Sequence, residues 1–149
     1  MNLKKLMLVA LSVSLLSGVF LTGGCVGSET SSPSLATPPQ LIENITPQDA
    51  FTMIGENEGN PDFVILDVRT AEEFADGHLE NAVNIDYYSP GIRNELDTLD
   101  KNKNYLVYCR SGSRSLNAAK IMEELKFSNI NNILDGIIRW GSEGLPIVR

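Results

Sequence analysis

Two short runs, Phe63-Val-Ile-Leu66 and Tyr105-Leu-Val-Tyr108, are apolar at every position, and that continuity constrains the fold more than any other feature of the chain. A strand with one wet face alternates apolar and polar residues, so a run without alternation has to be covered on both faces. Strands of this kind belong to parallel sheets, whose crossover connections lay helices over both faces. From Leu41 onward the sequence alternates short apolar runs with helical stretches. The expected order begins with a strand at 41–45, a helix opened by Thr46-Pro47 and running to Gly55, and the strand 63–66 ended by Asp67. Thr70-Ala-Glu-Glu73 fits a capping box, so a short helix should follow it and stop at Gly77. A strand at 82–85, a helix from Pro90 to Leu99, the strand 105–108, a long helix from Ser113 to Lys126, a strand at 132–134 and a helix at 137–140 complete the order. In the long helix Ala118, Ile121, Met122 and Leu125 fall at i, i+3, i+4 and i+7, one face for the core. The pattern specifies an α/β fold, a central and mostly parallel five-stranded sheet flanked by helices.

At 149 residues the chain suffices for one domain with a proper core. The net charge is −7, and loss of Lys4 and Lys5 with a leader would take it to −9. A surface of that sign repels nucleic acid, which excludes DNA and RNA as expected partners. Two cysteines, Cys25 and Cys109, and one histidine, His78, cannot supply the ligand spacing of a zinc site, so no metal and no other cofactor is expected.

Residues 1–24 have the three parts of a secretory signal: basic Lys4 and Lys5, an apolar stretch from Leu6 to Leu21, and small Gly23 and Gly24 before Cys25. The apolar stretch has 16 residues and contains three serines, short of the ~20 that cross a bilayer, which favours a cleaved signal over a retained helix. Leu21-Thr-Gly-Gly-Cys25 resembles the prokaryotic lipoprotein box, in which the cysteine is lipidated and becomes the mature N-terminus, although Thr22 stands where leucine is preferred. The alternative is ordinary signal cleavage with Cys25 incidental. Residues 25–40, rich in Ser, Thr, Gly and Pro, read as a flexible tether that would hold a domain spanning 41–149 roughly 20 Å from a membrane surface. The expected location is therefore the outer face of the cell membrane, or its periplasmic side.

The chemistry lies in Tyr108-Cys109-Arg110-Ser111-Gly112-Ser113-Arg114-Ser115, a strand end, a tight loop of small residues and a helix start. Successive backbone N–H groups of such a loop converge on its centre, and the helix adds its positive end, so an anion is held there without a metal. The same field favours thiolate over thiol at Cys109. Gly112 suits a positive φ, and Arg110 and Arg114 bring cations to the rim. A buried, inert cysteine at a strand end is the plainer reading, but such a residue needs no flanking arginines.

Three groups of residues resemble rhodanese-like domains. The first runs from Phe63-Val-Ile-Leu-Asp67-Val-Arg69 through Glu73-Phe74, Gly77-His78-Leu79 and Asn81-Ala-Val-Asn-Ile85; the second is the Cys109–Ser115 loop; the third is Leu134-Asp135-Gly136 with Trp140 and Gly144-Leu-Pro146. Two departures are mild: a second glycine is usual where Ile137 stands, and a small residue where Asn81 stands. The resemblance implies a sulfurtransferase in which Cys109 takes sulfane sulfur from an anionic donor such as thiosulfate, holds it as a persulfide, and yields it to a thiophilic acceptor, either a small molecule or a protein. Arg110, Ser111, Gly112, Ser113 and Arg114 would form the donor cradle, with the two arginines orienting the donor. Asp67 and Arg69 would form an ion pair shaping the site wall, and Asp135 would hydrogen-bond the turn it begins. His78 reads as a turn residue and Trp140 as core.

Two rival readings remain. One is a membrane-tethered sulfur-carrier or binding module. The other is a cysteine phosphatase or arsenate reductase, whose Cys-x5-Arg pattern would require arginine at 115, where this chain has Ser115.

Overall fold

The computed structural model describes residues 41–149. The leader at 1–24, Cys25 and the tether to residue 40 lie outside the described residues. Ten elements alternate: β1 (Ile42–Ile45), α1 (Pro47–Glu56), β2 (Phe63–Asp67), α2 (Ala71–Asp76), β3 (Val83–Asn84), α3 (Ile92–Asp97), β4 (Asn104–Tyr108), α4 (Ser113–Glu124), β5 (Asn129–Ile133) and α5 (Gly136–Ser142). The five strands form one sheet in the order β1-β5-β4-β2-β3, and every pairing is parallel. The two all-apolar runs, β2 and β4, pair with each other near the middle of the sheet, Ile65 against Leu106 and Asp67 against Tyr108.

Each face of the sheet carries its own core. One gathers Leu66, Tyr105, Val107 and Cys109 under Ala118, Ala119 and Met122 of α4, and the other gathers Ile65, Leu106, Tyr108 and Ile133 with Ala50 and Trp140 of the helices opposite. Consecutive residues of β4 therefore point into different cores, the physical reason that the run lacks polar positions. On α4, Ala118 and Met122 are fully buried, with Ile121 and Leu125 packed against the same cluster. Trp140 is core, and its indole N–H donates to Pro146 O at 2.9 Å.

The helix starts follow their capping residues. Thr46 accepts from Asp49 N ahead of α1, and at α2 the Thr70 hydroxyl accepts from Glu73 N while Glu73 accepts from Thr70 N, a complete capping box. Several boundaries differ from expectation. The third helix begins at Ile92, not Pro90, because Ser89 to Ile92 closes as a turn, Ile92 N donating to Ser89 O. The fourth ends at Glu124, and Lys126 takes a left-handed φ of 73°. The third strand is only Val83–Asn84, and the final helix reaches from Gly136 to Ser142.

The largest correction concerns the last strand, which begins at Asn129 and ends at Ile133 where 132–134 was expected. Its asparagines mask the strand pattern. Asn131 and Asn132 are both buried, and they are tolerated there because each finds a partner: Asn131 donates to Asn104 Oδ1 at 2.8 Å and Asn132 to Asn44 Oδ1 at 2.8 Å.

Candidate active site

The parallel sheet sends β4 directly into Cys109, and α4 starts four residues later, so the loop between them lies at the carboxyl edge of the strands. Gly112 turns the chain with φ of 85°, a left-handed conformation that favours glycine, and α4 begins at the next residue. The turn folds the loop back over the sulfur. The Ser115 hydroxyl donates to Cys109 Sγ at 3.5 Å, and the backbone N–H groups of Ser111, Gly112 and Ser115 bear on the acidity of the sulfur.

Two effects compete at that sulfur. Burial pushes the thiol pKa up, since Cys109 is fully buried, while the hydroxyl and N–H of Ser115 and the N–H groups of Ser111 and Gly112 pull it down. The donors win, and the pKa lies below the ordinary thiol value. Cys109 is thus a thiolate-prone sulfur at the base of the loop.

The β5–α5 turn holds the loop from behind. Ile137 N donates to Cys109 O at 2.9 Å and Ile138 N to Arg110 O at 3.2 Å. Gly136, with φ of 57°, is pressed so close that an added Cβ would stand 2.3 Å from Cys109 O and 2.7 Å from Arg110 O. Asp135 shapes the site through its backbone, whose N lies 3.1 Å from the Cβ position of Gly112. Its carboxylate makes no bond to the turn and pairs instead with Arg139 at 3.3 Å, which corrects the expected role of that side chain. The left-handed φ of 58° at Asp135 explains the departure, because the residue is not in the extended conformation from which a side chain caps the following helix.

The two loop arginines differ sharply. Arg110 is exposed and makes no ion pair among the described residues. Arg114 is clamped by Glu73, Nη1 to Oε2 at 2.7 Å and Nη2 to Oε1 at 2.8 Å, and its guanidinium lies over the Tyr88 ring at 5.4 Å. The Arg114 guanidinium, working against partial burial, holds the Glu73 carboxyl down to about 2. Glu73, read from the sequence as a helix cap and as a motif residue, meets the loop through Arg114. Its distance in sequence from the loop, 41 residues, hides the pairing.

Below the loop, Asp67 and Arg69 form a buried ion pair, Arg69 Nη2 to Asp67 Oδ2 at 2.6 Å, and Nη2 also donates to Gly77 O at 2.7 Å. Arg69 lies 5.7 Å over the Tyr108 ring, and the Tyr108 hydroxyl accepts from Leu79 N. Burial and the Asp67 charge push the Tyr108 phenol well above its usual range, so it stays protonated. This network fixes the end of β2 against β4 and carries no proton to Cys109. His78 stacks on Phe74 and bonds Phe74 O, and none of its hydrogen bonds reaches the sulfur. No group of three or more His, Cys, Asp or Glu among the described residues is arranged to hold a metal ion.

Comparison with known proteins places this geometry. The family model described as Rhodanese-like domain matches residues 47–143. The chain is 33% identical over 108 residues to a protein named Sulfurtransferase from Allochromatium vinosum, covering 72% of this chain and 96% of that one. It is 37% identical over 89 residues to YtwF of Bacillus subtilis, covering 60% of this chain and 84% of the relative. Among solved structures, a rhodanese-like domain protein from Staphylococcus aureus superposes with a TM-score of 0.58 at 32% identity, covering 72% of this chain and 99% of that one.

Proposed function

Since the chain belongs to the rhodanese-like domain family, we propose that it is a sulfurtransferase that takes sulfane sulfur from thiosulfate or a similar small anion, with Cys109 as carrier. The observation that carries this reading is the loop itself: Cys109 is buried at the end of β4, Gly112 with φ of 85° turns the chain into α4, the Ser115 hydroxyl donates to the sulfur at 3.5 Å, and the surrounding donors hold the thiol pKa below its ordinary value. In the first half-reaction the Cys109 thiolate attacks the outer sulfur of the donor, the S–S bond of thiosulfate breaks with its electron pair going to sulfite, and a persulfide anion remains. The donors that favoured the thiolate then hold the persulfide's negative charge. In the second half-reaction a thiophilic acceptor attacks the outer sulfur and Cys109 leaves as thiolate.

Arg110, exposed at the mouth, is placed to meet the donor anion, whereas Arg114 acts through its clamp with Glu73 to hold α4 against α2. The rival phosphate chemistry fits less well. Six residues run from Cys109 to Arg114, and the far arginine is already committed to a carboxylate where a phosphate ester would need it free. The carrier reading differs only in its acceptor, a partner protein in place of a small molecule.

Intact mass after incubation with thiosulfate tests the proposal: one added sulfur on wild type, removed by cyanide with formation of thiocyanate, and no adduct on Cys109→Ser. Turnover retained by Cys109→Ser would sink the assignment. The reading extends to an exported lipoprotein anchored through Cys25, supported by the leader, the small residues before Cys25 and the polar tether.

A further inference from the structure

Between α1 and the start of β2 lies a pocket of about 710 Å³, a volume within the range of small-molecule sites. Its apolar lining is Phe51, Ile54, Phe63 and Ile65. Ile54, Phe63 and Ile65 belong to the core on the face of the sheet opposite the one that holds Cys109. Phe51 is 42% exposed, and an edge contact with the buried Trp140 ring at 6.0 Å holds it in place. No residue of the Cys109–Ser115 loop lines the pocket.

Two features of the lining are not explained by the packing of the domain. Gly55 stands within α1, where glycine is the poorest helix former after proline, yet a Cβ added there would meet no heavy atom within 4 Å. Nothing inside the domain requires the missing side chain, and its absence keeps the pocket open. The second feature is charge. Glu58 and Glu80 are the charged residues of the lining, both are exposed, and neither makes an ion pair among the described residues. Other polar groups nearby are already spent. Asn60 Nδ2 donates to Asn57 Oδ1 and Asn57 Nδ2 to Met53 O, each at 2.9 Å, and Lys103 Nζ donates to Pro61 O on the adjoining loop. The Glu80 side of the rim is fixed, because Ala82 N donates to Leu79 O across the turn and Leu79 N donates to the Tyr108 hydroxyl, both at 3.1 Å. The pocket therefore offers an apolar lining and two unmatched carboxylates.

We propose that this pocket is a second ligand site, separate from the Cys109 loop, for a small organic cation whose aromatic body lies against Phe51, Ile54 and Phe63 and whose ammonium faces Glu58 and Glu80. The body supplies most of the affinity, since it leaves water for an apolar lining and can meet the Phe51 ring in an offset or edge contact. The ammonium supplies selectivity. At an exposed rim an ion pair adds little by itself, so a cation without the apolar body should bind weakly. An anion of the same shape meets two carboxylates with no cation in the lining to offset them. The site stands whatever the chemistry of Cys109.

The test is calorimetric titration of the full chain with three probes: 4-phenylbutylamine, its anionic counterpart 4-phenylbutyrate, and butylamine, which lacks the ring. Wild type should bind the first at one saturable site with Kd below about 1 mM, and each of the others about tenfold more weakly or worse. The double variant Glu58→Gln, Glu80→Gln should lose the preference for 4-phenylbutylamine over 4-phenylbutyrate. Gly55→Leu, which places a side chain over the pocket, should weaken 4-phenylbutylamine binding about tenfold, with a urea midpoint no lower than that of wild type because a better helix former replaces glycine. If Gly55→Leu fails to fold by circular dichroism, the glutamine variant still decides the question. No saturable binding of 4-phenylbutylamine by wild type, equal affinity for butylamine, or a preference untouched in the glutamine variant would overturn the site. A wild-type dimer that binds no amine and that Gly55→Leu dissociates would make a second copy of the chain the occupant, and would overturn it equally.

Discussion

Cys109 shows how a few donors reverse the effect of burial. A buried thiol with no partners is less acidic than one in water, and here the N–H groups of Ser111, Gly112 and Ser115 with one hydroxyl more than offset that cost. Ser115 is the only side chain among those donors, so it is the one that substitution can remove without moving the backbone. In Ser115→Ala the pH midpoint for alkylation of Cys109 by iodoacetamide should rise, with alkylation at neutral pH slowed a few-fold. An unchanged midpoint would mean that the amides alone set the thiolate. Glu73 illustrates the converse case. Its folded-state pKa, depressed to about 2 by Arg114, lies below the ordinary carboxylate value, so the clamp contributes stability that is fully present above that ordinary value and is lost as pH falls toward 2. Glu73→Gln keeps an acceptor for Thr70 N and removes the charge together with one of the two oxygens that accept from Arg114. Wild type should therefore exceed Glu73→Gln in urea stability at neutral pH, and the gap should narrow below about pH 4.5 and close as pH falls toward 2. A gap independent of pH would assign the loss to packing instead of the ion pair.

Local chemistry explains which elements could be read from the sequence and which could not. The all-apolar β2 and β4, the Thr46 and Thr70 caps and the Cys109 loop all announce themselves within a few neighbouring residues, and the structure places strands, helix starts and a cradle there. β5 was blurred because Asn131 and Asn132 owe their burial to Asn104 and Asn44, residues distant in the chain. The Glu73–Arg114 clamp and the His78–Val148 bridge escape for the same reason, each joining segments far apart in the chain. The turn at Gly136 was visible as a motif residue, but its load was not. With φ of 57° and no room beside Cys109 O, Gly136→Ala must shift the backbone of either the turn or the active loop. A loss of about 2–4 kcal/mol in urea unfolding is expected, accompanied by loss of the Cys109 pKa depression. Full stability with an intact alkylation profile would show that the turn yields without disturbing the loop.

The proposed export and anchoring set an acidic domain behind residues 1–40, read from the sequence as a leader and a tether. At a net charge of −7, or −9 once Lys4 and Lys5 are removed, the chain as a whole is repelled by an anionic lipid surface, which works against adhesion by charge. No helix among the described residues is long and apolar enough to cross a bilayer. Residues 1–40 offer two devices for attachment, the apolar stretch from Leu6 to Leu21 and Cys25. A single acyl chain binds only marginally, so firm anchoring requires the multiple chains that lipidation at a mature N-terminal cysteine supplies. The two devices respond differently to treatment. If Cys25 carries lipid, the wild-type chain should stay in the membrane fraction through washing with 1 M salt, which removes proteins held by charge, and Cys25→Ser should move to the soluble exported fraction or accumulate with its leader uncut. Membrane attachment unchanged in Cys25→Ser, with the leader still present by mass, would show that a retained signal helix does the anchoring. Release of wild type by salt would contradict both and would assign the attachment to charge.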